Sequence, residues 1–517
     1  MRLRGVRGAW AAAVVGVLLL TTLWVPGDAA RADAAGLDSA QKAAMLKVAK
    51  DTWKFFENDL DPVTQLPLDN IGPGDQRGNY TSASNIGVYL WAVTSAYDLK
   101  IISRRTAIDR IAATLATVRQ LKRAYGFLYQ WYDTRTAEVI PNPDTDLSCA
   151  DDQNAAADNC SFLSAVDNGW YASGLVVVRQ AFPELAGTAS QLIKDMDFSI
   201  FYDNRAQTAC NVNAAIDNQP TGQMYGGYYV GTGPAGYHNG ALFSDPRIAM
   251  YLGMGLHQMP TDVWWRTWRT LPPKQCDTDP DFSWQGGTPH GDWANITDPQ
   301  SGKQFKVWEG YYTYPGTELR FVPTWNGGMF EALMALQVVP ETSWAPRGFG
   351  LADRRSVSVQ IRYATEQLGY PVWGISPSST PDDSGGYAAY GVQGLRFPAG
   401  DQLAQGPCPG CSPSPESAIT PHASFLALTV APQQAYANIT RLKKLYPDSY
   451  AADGGFYDAV NPTTGAVGHR RLVLDQAMIM ASLDNAIDNG RLQRWFAADQ
   501  VAAVPKSVLK VETLPLG

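Results

Sequence analysis

The chain has 517 residues, of which 45% are hydrophobic and 17% are charged, and its formal net charge is −8 at pH 7. This composition is typical of a folded globular protein and excludes an intrinsically disordered chain. The acidic balance, without a dominant basic patch, argues against a nucleic-acid partner. The 16 tryptophans and 24 tyrosines could fill a large core or stack on sugar rings.

The first 34 residues have the pattern of a secretory signal peptide. Three arginines precede an apolar run at residues 11–25, and small residues alternate over residues 30–34. We therefore predict that residues 1–34 are removed and that the protein is secreted. An uncleaved membrane anchor is the alternative, and no later stretch is long and apolar enough to span a bilayer. We expect residues 35–517 to form a single catalytic domain, a monomer that is not bound to a membrane.

Six cysteines fit an oxidising compartment. Sequence alone does not fix their connectivity. Proximity along the chain favours the pairs Cys149–Cys160 and Cys408–Cys411, which leaves Cys210 with Cys276.

Helical periodicity predicts about a dozen helices. In chain order, the predicted helical segments are residues 37–56, 84–99, 105–123, 162–182, 188–203, 247–256, 260–271, 327–337, 355–368, 422–446 and 475–497. Very apolar segments alternate with amphipathic ones, and loops rich in Gly, Trp, Tyr and Asp separate the pairs. A helix that is apolar on every side is buried, whereas an amphipathic helix faces water. This alternation predicts an inner and an outer ring of helices.

The predicted fold class is therefore all-α, an (α/α)6 toroid or barrel with long aromatic- and Gly-rich loops at one end. An α-solenoid would also stack helix pairs, but it requires a repeat of fixed length, and the sequence shows none.

Four acidic residues lie at the loop ends of apolar helical segments: Asp167, Asp245, Glu331 and Asp475. Each has a structural explanation, such as an N-cap at Asp245, a capping box at Glu331 or a favourable helix dipole at Asp475. In a toroid, however, these ends converge. Hydrolysis of a glycosidic bond requires one protonated and one ionised carboxyl group. A glutamate in an apolar environment, such as Glu331, has the raised pKa that a general acid needs.

Several segments carry a resemblance to a known family, in the family's order. They are FLSAVDNGWYASGL, DPRIAMYLGMG, TWNGGMFEALM, YPVWGISPSSTPDDSGGYAAYGVQGL and LDQAMIMASLDNAI. The chain resembles the bacterial glucoamylase-like (glycoamylase) family, which includes endo-β-1,2-glucanases and the C-terminal region of cyclic β-1,2-glucan synthases. The resemblance implies an (α/α)6 barrel and glycoside hydrolase or transglycosylase activity on a glucan.

The resemblance also implies roles for particular residues. The family's active-site glutamate falls on Glu331, and a second catalytic carboxylate falls on Asp245, where the family has the longer glutamate. The family's aspartate–glutamine pair matches Asp475 and Gln476. Apart from the resemblance, the position of Asp167 at the loop end of an apolar helix adds it to the predicted catalytic set, and we expect Asp167 and Asp475 to support the main pair or to supply the base. The predicted substrate-binding residues are Trp91, Trp170, Trp325, Trp373, Asp382, Asp383, Tyr387, Tyr390 and Gln476.

We expect no metal or cofactor, because the five histidines lack HExxH or any other ligand spacing. The function predicted is a secreted glycoside hydrolase that cleaves a β-1,2-glucan-like or related bacterial polysaccharide by carboxylate acid/base catalysis. A non-catalytic polysaccharide- or cell-wall-binding protein on the same fold is the alternative, and the aspartate at position 245 favours it. A polysaccharide lyase is a third option, against which the acidic composition counts.

Overall fold

The structure is a computed structural model that describes residues 36–143, 148–149, 160–205, 221–270, 272, 289–392 and 418–517. The predicted signal peptide lies outside these residues, as do Cys210, Cys276, Cys408 and Cys411. Cys149 and Cys160 form a disulfide, as their proximity predicts.

Helices dominate the described residues, which confirms the helical character of the prediction. The fifteen α-helices of the described part are α1 (Ser39–Asn58), α2 (Ala83–Asp98), α3 (Arg104–Val118), α4 (Ala165–Ala181), α5 (Ala186–Lys194), α6 (Arg247–Gly255), α7 (Asp262–Arg266), α8 (Met329–Leu333), α9 (Glu341–Trp344), α10 (Phe349–Arg362), α11 (Pro421–Leu426), α12 (Pro432–Leu445), α13 (Val473–Ile487), α14 (Arg491–Ala497) and α15 (Ala503–Val511).

Local sequence signals explain where several of these helices begin. The hydroxyls of Ser82 and Ser164 accept hydrogen bonds from backbone N–H groups in the first turns of α2 and α4. Such N-caps satisfy donors that have no partner within the helix. The predicted segment 422–446 is divided between α11 and α12 because Pro432 can begin a helix but cannot continue one.

The very apolar helices are the buried ones. Helix α2 packs against α4 and α13, α4 also packs against α6, and α11 packs against both α8 and α13. Helices α2 and α4 approach backbone to backbone, since a Cβ added to Gly87 would overlap the carbonyl of Trp170, and one added to Gly174 would overlap that of Gly87. One continuous cluster of buried side chains extends from Leu37 to Leu516.

A buried arginine connects α6 with α8. The Arg247 guanidinium donates to Glu341 through Nε (2.7 Å) and Nη2 (2.9 Å). It also donates to the backbone carbonyls of Glu331 (3.0 Å) and Ala332 (2.6 Å) in α8. The Tyr251 hydroxyl donates to Glu341 as well, at 2.6 Å. Both charged side chains are inaccessible to solvent, so the ion pair fixes the start of α6 against the start of α9, and the two carbonyl hydrogen bonds fix it against α8.

Short strands lie mostly in the loops. They are β1 (Asn70–Ile71), β2 (Arg77–Gly78), β3 (Tyr80–Thr81), β4 (Arg123–Ala124), β5 (Phe127–Leu128), β6 (Tyr132–Asp133), β7 (Phe162–Ser164), β8 (Gly227–Tyr229), β9 (Gly233–Pro234), β10 (His290–Thr297), β11 (Gln304–Thr313), β12 (Arg320–Phe321), β13 (Ser378–Ser379), β14 (Tyr387–Ala388), β15 (Tyr450–Ala451), β16 (Gly455–Phe456), β17 (Ala459–Val460), β18 (Val467–Gly468) and β19 (Arg471–Leu472).

The antiparallel hairpin β10–β11 corrects the all-α prediction. Its strands pair in register from His290 with Tyr311 to Thr297 with Gln304. Phe305, Val307 and Tyr312 of β11 are buried, and their neighbours are more exposed. This half-buried alternation is the pattern of a strand rather than of a helix. Within the described part of the chain, no helix is both long and apolar enough to cross a membrane.

Candidate active site

The four predicted catalytic acids lie at the amino ends of buried helices. Asp167, Glu331 and Asp475 are in the first turns of α4, α8 and α13. Asp245 lies two residues before α6. The positive end of each helix dipole therefore points toward a carboxyl group.

Glu331 is buried, with 5% of its surface exposed. Its Oε2 atom accepts a hydrogen bond from the backbone N–H of Asn326 at 2.9 Å, two residues before the N-cap Gly328 of α8. Burial, followed by the negative charge of Asp245, raises the pKa of Glu331 to about 8. Glu331 can therefore hold a proton at neutral pH, as a general acid must.

The loop before β13 holds α8 in place. The Ile375 carbonyl accepts from the backbone N–H of Met329 at 3.1 Å, and the Ser376 hydroxyl accepts from that of Phe330 at 3.0 Å. Both donors lie at the start of α8, two residues or fewer before Glu331. The segment that sequence analysis assigned to sugar binding therefore also orients the Glu331 carboxyl group.

Asp245 is partly buried, and its side chain does not cap α6. The Ser244 hydroxyl donates to its Oδ1 atom at 3.3 Å. Burial raises the pKa of Asp245 to about 7, and the negative charge of Asp167 adds to the rise while Arg247 opposes it. The negative charge of Asp245 in turn raises the pKa of Glu331, so the ionisation of Asp245 affects that of Glu331.

The Tyr387 hydroxyl lies within electrostatic range of four acidic residues. Its pKa is raised by the loss of hydration around its hydroxyl, and then by the negative charges of Asp475, Asp69, Asp245 and Glu331. These four acids come from four separate segments, and all lie within electrostatic range of one phenol oxygen. About half of the Tyr387 surface is exposed, 52%. The four acids therefore lie around one hydroxyl that is itself removed from water.

Asp475 and Gln476 are buried at the start of α13. The Asp475 carboxyl lies 3.0 Å from Nδ1 of the buried His422, in the first turn of α11. Gln476 donates to the carbonyl of Phe456 (3.1 Å) and to Asp458 (3.4 Å). Burial, together with the Asp475 charge, raises the pKa of Asp458 well above its usual range. Gln476 is fully buried, so its predicted contact with sugar is replaced by a positioning role.

Sequence analysis missed Asp69. Its carboxyl oxygens accept from the side-chain amides of Asn85 (2.8 Å) and Asn70 (2.9 Å). Burial raises the pKa of Asp69, while these two amides and Arg470 oppose the rise. The Asp69 carbonyl accepts from the N–H of Val473, which ties the residue to the start of α13. Its only sequence signal is an Asp-Asn pair in a loop, which is common in turns.

The structure corrects several predicted sugar contacts. Trp91 and Trp170 are buried, and their rings pack edge to face at 5.5 Å between α2 and α4. Tyr390 and Trp373 are also buried, with 1% and 5% exposed. None of these four rings presents a face to solvent, so the prediction that they stack on sugar is wrong.

The other predicted sugar contacts are accessible. Trp325 is partly buried, while Tyr387, Asp382 and Asp383 are exposed. Hydrogen bonds from Ser384 lower the pKa of Asp382, and Asp383 accepts from the backbone and ring of His469 at 2.9 and 3.0 Å. Within the described residues, no group of three or more His, Cys, Asp or Glu side chains is arranged to hold a metal ion.

Two family models match the chain. Residues 295–500 match the Glycoamylase family, described as "Putative glucoamylase". Residues 47–233 match a family described as a protein of unknown function, DUF3131. Residues 295–500, which include Glu331 and Asp475, therefore carry the glucoamylase-like family's sequence pattern, and the resemblance predicted from the sequence is confirmed.

A curated relative and two solved structures are also similar. The cyclic β-(1,2)-glucan synthase NdvB of Rhizobium meliloti (strain 1021) is 23% identical over 560 positions, and the chain spans 90% of its own length but 18% of the synthase. An endo-β-1,2-glucanase from Chitinophaga pinensis, in complex with sophorotriose and glucose, aligns with a TM-score of 0.61 and 16% identity over 91% of this chain and 98% of that one. The enzyme from Talaromyces funiculosus, in complex with sophorose, gives 0.59 and 10% over 92% and 91%. The chain shares their helical fold.

Proposed function

We propose that this protein is a glycoside hydrolase that cleaves a β-1,2-glucan or a related polysaccharide. The observation that carries the proposal is the pair of carboxyl groups with raised pKa values, Asp245 and Glu331, beside an accessible tyrosine. Hydrolysis of a glycosidic bond needs two carboxyl groups in different protonation states. The fold shared with endo-β-1,2-glucanases supports a glucan as the substrate.

In this proposal Glu331 is the general acid. Burial and the negative charge of Asp245 raise the pKa of Glu331 to about 8, so Glu331 holds its proton at neutral pH. Glu331 donates that proton to the glycosidic oxygen, and the ionised Asp245 assists attack at the anomeric carbon. The charge of Asp167 acts on Asp245, and Asp475 lies close to His422; either acid can supply the base that activates water. The N–H of Asn326 stabilises the Glu331 carboxylate after proton transfer.

The proposal includes the architecture and the location. We propose that α2, α4, α6, α8, α11 and α13 form the inner ring of an (α/α)6 barrel; their pairwise packing and the Arg247 contacts support this arrangement. Residues 1–34 act as a signal peptide, and residues 35–517 form one secreted, monomeric catalytic domain.

The proposal is tested by incubating the purified protein with soluble β-1,2-, β-1,3- and β-1,4-glucans. Release of reducing ends from β-1,2-glucan is expected, and the anomer first formed, read by NMR, distinguishes inversion from retention. A protein that binds these glucans but releases no product from any of them is the non-catalytic alternative.

The pH dependence of this activity follows from Glu331. Activity is expected to fall as the pH rises through about 8, because Glu331 then loses the proton that it donates.

The Asp245→Asn substitution removes a negative charge that raises the pKa of Glu331, so the pKa of Glu331 should fall in this variant. Carboxyl ¹³C NMR of the folded variant measures the shift. The exposed Asp448 provides the control Asp448→Asn, which should leave the pKa of Glu331 in place. An unchanged Glu331 pKa in Asp245→Asn would show that the two groups are not coupled.

A further inference from the structure

Three tyrosines form a group on the loops that precede α4 and α6. Tyr125 and Tyr237 expose 46% and 48% of their surfaces, and Tyr228 is partly buried. The rings of Tyr125 and Tyr228 pack edge to face with centroids 5.3 Å apart, and their hydroxyls are 3.5 Å apart. The ring of Tyr237 lies against Gly226, where an added Cβ would overlap it. We call Tyr237, Tyr228 and Tyr125 the tyrosine track.

The backbone at Tyr125 is unusual for its side chain. Tyr125 and Gly126 form the two-residue turn between β4 and β5, and both have positive φ angles, 52° and 79°. Asn-Gly is the favoured pair in such a turn, because asparagine tolerates the left-handed conformation better than an aromatic residue does. Backbone strain of this kind tends to persist at functional sites. The exposed ring of Tyr125 is therefore carried by a backbone conformation that aromatic residues seldom adopt.

The track begins beside the carboxyl cluster. The Gly226 carbonyl accepts from the N–H of Ala165 at 3.1 Å, and Ala165 is two residues before Asp167. Strand β8 then leads outward, with Gly227 paired to Ser164 and Tyr228 paired to Leu163. At about 3.4 Å per residue, Tyr228 lies about 7 Å along the strand from Gly226. Tyr228 therefore lies on the strand that pairs with the segment leading into Asp167.

We propose that the tyrosine track binds glucosyl units of the same glucan chain, beyond the bond that is cleaved. This inference rests on the proposed function and adds to it a preference for long substrates. Tyrosine combines an apolar ring face, which can cover the C–H face of a sugar, with a hydroxyl that can hydrogen-bond to sugar hydroxyls. A polysaccharide meets the track only after it extends past Asp167, so short oligosaccharides do not reach Tyr228 and Tyr125.

The test uses the full chain with Glu331→Gln, so that the ligand is not consumed. Isothermal titration with β-1,2-linked trisaccharide and with long β-1,2-glucan measures both affinities. Tyr228→Ala and Tyr125→Asn are each expected to weaken long-chain binding about three- to tenfold and to leave trisaccharide binding unchanged. Tyr228→Phe, which keeps the ring, is the matched control. Equal long-chain affinity in the parent and both variants would overturn the track, as would a parent that binds both ligands equally.

Thermal unfolding separates binding from a structural role. Tyr125→Asn is expected to keep or raise Tm, because asparagine suits the positive φ angle. A lower Tm together with weaker trisaccharide binding would show that Tyr125 maintains the fold instead. The experiment also distinguishes failure of this proposal from failure of the proposed function. If the wild-type protein binds long glucan through the tyrosine track but releases no product, the hydrolase proposal is wrong and the proposal for the tyrosine track is not contradicted.

Discussion

Glu331→Gln is expected to lower kcat on β-1,2-glucan by about 10²- to 10⁴-fold, the usual contribution of a general acid. The amide is nearly the same size and can still accept from the N–H of Asn326, but it has no acidic proton to donate. Initial rates of reducing-end release measure the effect. Wild-type turnover by this variant would remove Glu331 from the mechanism.

An activated substrate provides the control for that experiment. An aryl glycoside with a good leaving group needs little protonation, so Glu331→Gln should lose much less activity on it than on glucan.

The same substitution should stabilise the folded protein at high pH. The folded-state pKa of about 8 exceeds the ordinary value of 4.5, so the wild-type protein loses stability as the pH rises between these values. Glu331→Gln is therefore expected to have a higher Tm than the wild type at pH 9, and a similar one at pH 4.

Arg247→Met is expected to reduce the free energy of unfolding by about 3–5 kcal/mol, because it leaves the carboxylate of Glu341 buried without its cation. Neither side chain is exposed, so water cannot replace the lost contacts. The substitution also frees the carbonyls of Glu331 and Ala332, and activity should fall as α8 shifts. Denaturant-induced unfolding measures the change in stability.

Two further variants identify the origin of that loss. The double substitution Arg247→Met with Glu341→Leu removes both charges and should recover part of the stability. The exposed pair of Arg105 and Asp109 on α3 is a matched surface contact, and Arg105→Ala should cost less than about 1 kcal/mol. If Arg247→Met were no more destabilising than Arg105→Ala, the buried ion pair would not hold α6 against α9.

The helices were predictable because burial of one or more faces of a helix leaves a regular spacing of apolar residues in the sequence. Helices α2, α4 and α13 are apolar on almost every side, and the amphipathic α3 and α12 follow or precede them, so the pattern indicates both existence and burial. The β10–β11 hairpin was not predicted. Its alternation is interrupted at Trp308 and Glu309, and the opposite strand has no buried residue. A long-range pairing of this kind leaves only a weak local signal.

The residues of the candidate site that were predicted are those with a strong local sequence signal. Glu331 and Asp475 stood out because an acid in an apolar run is costly, and that cost is visible in one segment. Asp69 and His422 reach the site from loops and a helix start far away in the sequence, where neither residue type is unusual. Trp91 and Trp170 were misassigned because an apolar helix with tryptophan fits both a core and a sugar platform. Their edge-to-face packing across two helices decides for the core.

The contact between Gly87 and Gly174 sets the distance between α2 and α4. Because nothing larger than a hydrogen atom fits where α2 meets α4, a single methyl group at either position would wedge the two helices apart. Such a separation would move Asp167 and Asn85, in the first turns of α4 and α2, away from each other, although the added methyl group contacts neither residue. A residue buried between two helices therefore sets the spacing of side chains that it never contacts.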